Sequence, residues 1–231
     1  MTQTILHVVT NVDSYDGDQS HPTGLWLTEL THAWEIFERQ GYRQLIVSPK
    51  GGKVPLEPRA MKFPLLDSYA KRWIANPENQ QLLENTLSPQ DIDNSQIDAI
   101  YYTGGHAVMY DFLEDAALQE LTRTLYESDK VVASVCHGFC GILNVKLSDG
   151  TYLIEGKEMT GFSWKEEVLA GVSKLVPYNA ESLAQQHGAH YRKAALPYLP
   201  FALEDGNLVT GQNPFSAKKT AELISKKLNE K

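Results

Sequence analysis

The sequence predicts an α/β protein with a mostly parallel sheet covered on both faces, and three observations lead there. The segments ILHVVTN (5–11), LIVS (45–48), DAIYYT (98–103), VVASV (131–135) and LVT (208–210) are short, apolar and rich in β-branched or aromatic residues. They lack the period-2 alternation of a half-exposed strand, so both of their faces are expected to be buried, as in parallel sheets. Helix-period segments separate them, as crossover connections require. The 231 residues, 42% apolar, suffice for one domain with a sizeable core.

The elements follow in order. After the first strand, Thr23 to Gln40 is predicted helical, with Thr23 as cap, Gly41 as stop and an apolar stripe of Trp26, Leu30, Ala33, Trp34 and Phe37. PKGG turns the chain after the second strand. Residues 49–96, with the proline-rich VPLEP and helical patches around 68–75 and 78–86, read as an insertion over the sheet ends. A helix near 114–128 precedes VVASV, and another is expected from Cys136 to about Val145. Shorter helices are expected over 164–170 and 180–188. The last helix should start with Asn213 as cap and Pro214 at its first position, its stripe formed by Ala217, Ala221, Ile224 and Leu228.

Composition excludes several roles. With 29 acids against 21 bases the net charge is −8, which disfavours nucleic acid or an anionic membrane surface as partner. No run of 18 apolar residues is present, so no membrane span is expected. MTQTILHVVTNV lacks the features of a signal peptide. The only cysteines, Cys136 and Cys140, argue against a disulfide scaffold and for a reducing, cytoplasmic setting. No glycine-rich dinucleotide or phosphate loop appears, and His187 and His190 have poor metal-ligand spacing, so neither cofactor nor metal is expected.

Ligands of such sheets bind outside the carboxyl ends of the strands. Two of those ends carry chemistry. VVASV runs into Cys136-His137-Gly138, and DAIYYT into Gly104-Gly105-His106. A thiol on a strand-to-helix elbow faces free N–H groups and a helix dipole, which would favour the thiolate and lower its pKa. The same N–H groups can hold an oxyanion, and the side-chain-free glycine pair can approach a bound carbonyl. Glu29 lies about 40° beyond Ala33 at the edge of the first helix's stripe, which predicts a half-buried, protonated carboxyl able to donate to sulfur. Ser163 and Glu166 fit the capping box S-x-x-E, leaving Glu167 as the better candidate to orient His137. Cys140 reads as a small core residue.

These residues resemble the ThiJ/PfpI superfamily, with its class I glutamine amidotransferase-like fold, and within it the branch of heat-shock chaperone-like, glutathione-independent glyoxalases (glyoxalase III). TGLWLTEL, DAIYYTGGH, SVCHG, TGFSWKEE and LVTGQNPFSA carry the resemblance in order. It implies one flavodoxin-like three-layer sandwich spanning 1–231. It also implies a Cys136–His137–Glu167 triad with Glu29 bonded to the thiol. The oxyanion hole would come from the N–H groups of Gly105 and His137, with Gly104 and His106 beside the substrate. Ala107 departs from the glycine many relatives have there, so the loop around His106 is expected to differ. The implied activity is cofactor-free conversion of 2-oxoaldehydes such as methylglyoxal to 2-hydroxy acids such as D-lactate, by a lyase with a stress or detoxification role. The implied partners are a small carbonyl substrate and a second copy in a homodimer. Two rival functions stay open: a hydrolase of small amides or peptides acting through a thioester, and a stress chaperone or thiol redox sensor.

Overall fold

The computed structural model describes residues 2–230. In chain order the elements are β1 (Thr4–Val8), β2 (Ser14–Tyr15), β3 (Asp18–Pro22), α1 (Leu27–Arg39), β4 (Arg43–Val47), α2 (Ser68–Ala75), α3 (Pro77–Glu84), β5 (Ala99–Tyr102), α4 (Val108–Asp111), α5 (Ala116–Glu127), β6 (Val131–Val135), β7 (Glu158–Met159), α6 (Trp164–Leu169), α7 (Ala180–Gln186), β8 (His190–Tyr191), β9 (Ala202–Asp205), β10 (Leu208–Gly211) and α8 (Ala217–Asn229). The central sheet has the order β4-β1-β5-β6-β10-β9. Its first five strands are mutually parallel, and they are the five apolar segments of the sequence. The sixth, β9, pairs antiparallel to β10 at the edge.

Within each central strand, alternate residues enter different cores, and both cores are apolar. Ile5, Tyr101, Ala133 and Val135 face α1 and α8, against Phe37, Ala221 and Ile224. Leu6, Ile100, Tyr102 and Val132 face the other side, against Leu118, Leu121 and Leu125 of α5. That division makes the three layers. A third cluster joins Leu30 and Trp34 of α1 to Val54, Leu66, Trp73 and Leu83 of the 49–96 segment, which therefore packs beside the first helix.

Three expectations about helix ends differ from the structure. α1 starts at Leu27, with Trp26 rather than Thr23 at its cap position. Residues 23–25 are instead tied to the 49–96 segment: Thr23 Oγ1 donates to Glu57 Oε2 at 2.9 Å, and Leu25 N–H donates to the carbonyl of Pro55 at 2.8 Å. The helix after Cys136 is a 3₁₀ turn, Cys136–Gly141. Two glycines in six residues weaken helix propagation there, and the turn packs so closely that a Cβ on Gly138 would lie 2.2 Å from the carbonyl oxygen of Tyr102. Before α8, Asn213 and Pro214 open a separate 3₁₀ turn, Pro214–Ser216. Ala107 is buried in ordinary right-handed geometry, φ −54°, a conformation alanine adopts without strain.

α6 begins at the expected capping box, and Glu166 does more than cap it. Its Oε2 accepts from Ser163 Oγ (2.7 Å), Ser163 N (3.0 Å) and Gln212 Nε2 (2.9 Å). Its Oε1 accepts from Tyr198 N (2.8 Å) and Asn213 Nδ2 (3.0 Å). One fully buried carboxylate thus ties α6, the 198 loop and the segment after β10 together. Glu166→Gln turns a donor against these donors, which is expected to cost about 2–4 kcal/mol and lower Tm by roughly 5–12 °C. A thermal melt within about 1 °C of wild type would contradict this reading of Glu166.

Candidate active site

β6 delivers Cys136 to the carboxyl edge of the sheet. Val135 is still extended, and Cys136 has φ +55°, a left-handed conformation for a residue with a side chain. Such a residue costs on the order of 1–3 kcal/mol and persists because its surroundings hold it. Here the Cys136 carbonyl accepts from Phe162 N–H at 3.3 Å, and the reversal turns Sγ toward His137. His137 Nδ1 lies 3.4 Å from Sγ, and its Nε2 lies 2.7 Å from Glu167 Oε2. All three side chains are buried, with Cys136 only 3% exposed.

Glu167 serves a second imidazole. His106 Nε2 lies 2.8 Å from Glu167 Oε1, and the two imidazole rings are 4.3 Å apart. Burial works to raise the Glu167 pKa, but His137 and His106 outweigh it and hold the carboxyl well below the usual range. The pKa of His106 is lowered too, which leaves that ring neutral. Burial, then the neighbouring His137, lowers it to about 4. Among the described residues His106, His137 and Glu167 also bring donor atoms close enough for a metal ion, all within 4.8 Å. Both Nε2 atoms, however, are already at hydrogen-bonding distance from the carboxylate oxygens they would share with an ion.

Glu29 is fully buried rather than half buried at a stripe edge. Its Oε2 accepts from Gly104 N–H at 2.7 Å, and the carboxyl also meets the Cys136 thiol. Burial lifts it from 4.5 to about 8, so it is protonated at neutral pH. The thiol was expected to be acidic, but burial pushes it up, outweighing the His137 backbone N–H that pulls it down. A six-residue 3₁₀ turn supplies too short a dipole to reverse the desolvation of sulfur. Gly104 is required where these groups converge, because a Cβ there would lie 2.8 Å from both Glu29 Oε2 and His137 N. Gly105 has φ +107°, and its Cβ would meet the carbonyl oxygen of Gly24 at 2.3 Å.

A cavity of about 490 Å³ opens above Cys136, with mostly apolar walls. Trp26, Leu65, Phe162, Tyr198 and Phe215 line it, together with Gly105, His106, His137 and Arg59. The structure therefore brings Cys136, His137, Glu167, Glu29, Gly104, Gly105 and His106 together in one place. His106 turns its Nε2 to Glu167 while still bordering the cavity. Sequence reasoning missed Arg59, Glu57 and Tyr15, which meet beside His106. Nothing local marks them, because the first two lie in the proline-rich stretch and the third in a small hairpin. Cys140 is a buried core residue beside Tyr178, and burial pushes its thiol up to about 12.

A parallel sheet with a cysteine on a strained turn at a central strand end, faced by histidine and a buried carboxylate, defines a class of cysteine-elbow α/β proteins. The sequence model of the DJ-1/PfpI family matches residues 23–227, and the chain belongs to that family. It is 28% identical over 229 residues to glyoxalase 3 of Candida albicans, covering 96% of each chain. It is 27% identical to the glutathione-independent glyoxalase HSP31 of Saccharomyces cerevisiae, covering 94% of each. Among solved structures it is similar to the Rapid Encystment Protein 24 kDa of Francisella tularensis, with TM-score 0.93, 32% identity and coverage of 98% of this chain and 99% of that one. It is similar also to glyoxalase III of Candida albicans, with TM-score 0.89, 28% identity and coverage of 97% and 96%.

Two outcomes test this site. Between 4.5 and about 8 the native protein holds a proton on Glu29 that the unfolded chain has released. The contribution of this group to stability is full below the lower value and is lost as pH rises to the upper one. Glu29→Gln, neutral throughout, lacks that loss, so its denaturation midpoint relative to wild type should rise from about pH 5 to about pH 9. A constant difference across the range would place Glu29 in water. Iodoacetamide followed by peptide mass spectrometry should modify Cys136, which borders the cavity, ahead of Cys140, and the reverse order would contradict the site.

Proposed function

We propose that this protein is a cofactor-independent, glyoxalase III-type enzyme that converts small 2-oxoaldehydes such as methylglyoxal to 2-hydroxy acids. The observation that carries the reading is the alignment of Cys136 Sγ, His137 Nδ1, His137 Nε2 and Glu167 Oε2, spaced 3.4 and 2.7 Å across its two gaps, at the floor of the cavity. Full-length similarity to proteins named glutathione-independent glyoxalases supports it.

The thiol rests in its neutral form, so it needs a base at the moment of attack. His137 Nδ1 takes the S–H proton as sulfur bonds to the aldehyde carbon, and Glu167 stabilises the resulting imidazolium. The aldehyde oxygen takes that proton from the His137 imidazolium, giving a hemithioacetal and a neutral His137. His137 then removes the proton from that carbon and returns one to the neighbouring carbon, through an enediolate held by the N–H groups of Gly105 and His137. The product is a thioester of a 2-hydroxy acid, and water releases the acid and restores the thiol. One carbon is oxidised and its neighbour reduced, so the reaction balances with water alone. Protonated Glu29, beside the sulfur, adds no negative charge next to the developing oxyanion. No helix among the described residues is long and apolar enough to cross a membrane. A homodimer in a reducing, cytoplasmic setting completes this reading, and the mass in solution tests the dimer.

The decisive experiment incubates the protein with methylglyoxal without glutathione and measures D-lactate. Cys136→Ser should lower kcat by about 10³-fold or more, and Glu167→Gln by about 10²–10⁴-fold. Unchanged turnover in Cys136→Ser would overturn the proposal. Release of amine from a chromogenic amide, without D-lactate, would favour the hydrolase.

A further inference from the structure

Arg59 stands outside the row from Cys136 to Glu167, on the segment between β4 and β5, yet it reaches the site. Its guanidinium is held firmly. Nε donates to Glu57 Oε1 at 2.8 Å, and the two hydrogens of Nη2 are shared among Glu57 Oε2 at 3.1 Å, Tyr15 OH at 2.8 Å and His106 Nδ1 at 3.0 Å. Glu57 is itself fully buried and pinned by Thr23 Oγ1 at 2.9 Å and by the backbone N–H of Arg59 at 3.1 Å. Held this way, Arg59 Nη2 lies 3.0 Å from His106 Nδ1.

A guanidinium has only donors. The Nδ1 atom facing it must therefore be the bare, accepting nitrogen, because a proton there would point at another proton. A neutral imidazole carries one N–H, so that proton sits on Nε2, the atom 2.8 Å from Glu167 Oε1. We infer that Arg59 is a positioning residue, which sets the tautomer of His106 so that Glu167 receives an imidazole N–H on each oxygen and keeps His137 Nδ1 free for the Cys136 proton. The inference rests on the proposed role of His137 as the base.

The consequence runs through charge as well as direction. Arg59, Glu57 behind it, Tyr15, His137 and Glu167 are the titratable groups around His106. Burial is the main cause that keeps His106 neutral, and the Arg59 cation acts in the same direction. Without that cation His106 takes up a proton on Nδ1 at a higher pH than in wild type. It then competes with His137 for the Glu167 charge that supports the imidazolium of the base.

The test uses the full chain with ¹⁵N-labelled histidine. In wild type the His106 ring should show a bare Nδ1 and a protonated Nε2. Because Arg59→Met alone strands the buried Glu57 charge, Glu57→Gln/Arg59→Met is the informative variant, with Arg59→Lys as the conservative one. In the double variant His106 Nδ1 should take up its proton at a higher pH than in wild type. Alkylation of Cys136 by iodoacetamide and kcat on methylglyoxal should each fall by about 10- to 100-fold, with the loss greatest at low pH. Arg59→Lys, which keeps a cationic donor, should recover part of both. An unchanged His106 titration in the folded double variant overturns the inference, as does a raised one with Cys136 reactivity within about two-fold of wild type. The tautomer and the alkylation rate need no turnover. Failure of the glyoxalase reading would thus appear only in the methylglyoxal assay, and failure of the Arg59 reading in the ring spectrum.

Discussion

The site depends on one buried negative charge. Glu167 is 4% exposed, and an isolated carboxylate at that depth would protonate. It remains ionised because two imidazoles approach it, one on each oxygen, at 2.7 and 2.8 Å. Everything else follows from satisfying that charge. His137 must turn Nε2 to it and so presents Nδ1 to sulfur. His106 must lie against the same carboxylate, which draws the β5 loop over the 3₁₀ turn after β6. The capping box serves the arrangement indirectly: Glu166 anchors the first turn of α6, so the next residue has a fixed direction.

A second pair of groups is balanced in the opposite sense. Cys136 and Glu29 are desolvated together, and burial favours the neutral form of each. The site thus holds one ionised carboxyl and one protonated carboxyl on either side of a thiol. Their environments separate them: Glu167 faces two ring nitrogens, whereas Glu29 has a single backbone N–H and the sulfur. Such a pairing keeps the thiol unionised until a substrate carbonyl arrives to share the cost of charge separation.

Much of this was legible in the sequence, for physical reasons that differ by residue. The five parallel strands were visible because burial on both faces leaves an unbroken apolar run. β9 was not, because ALED is a partly exposed edge strand whose pairing is set by its neighbour. The elbow could be read from a thiol placed directly after a buried strand, and Glu167 from the capping role already taken by Glu166. The burial of Glu29 was underestimated because helical periodicity sees only its own helix, and β5 with its glycine loop closes over that carboxyl. Arg59 left no trace at all. Its meaning comes from a contact 47 positions away, and no local pattern encodes such a distance.

That distance separates two kinds of residue. The proposed nucleophile and its proposed base are consecutive residues on one turn, so substitution at either should cripple the proposed reaction. The arginine that orients the second imidazole is carried by a different stretch of chain, along with Leu65 of the cavity wall. A substitution in that stretch can change the cavity wall or the second imidazole without touching the elbow. The elbow and the residues that border it thus sit on separate stretches of the chain, one after β6 and the other in the 49–96 segment.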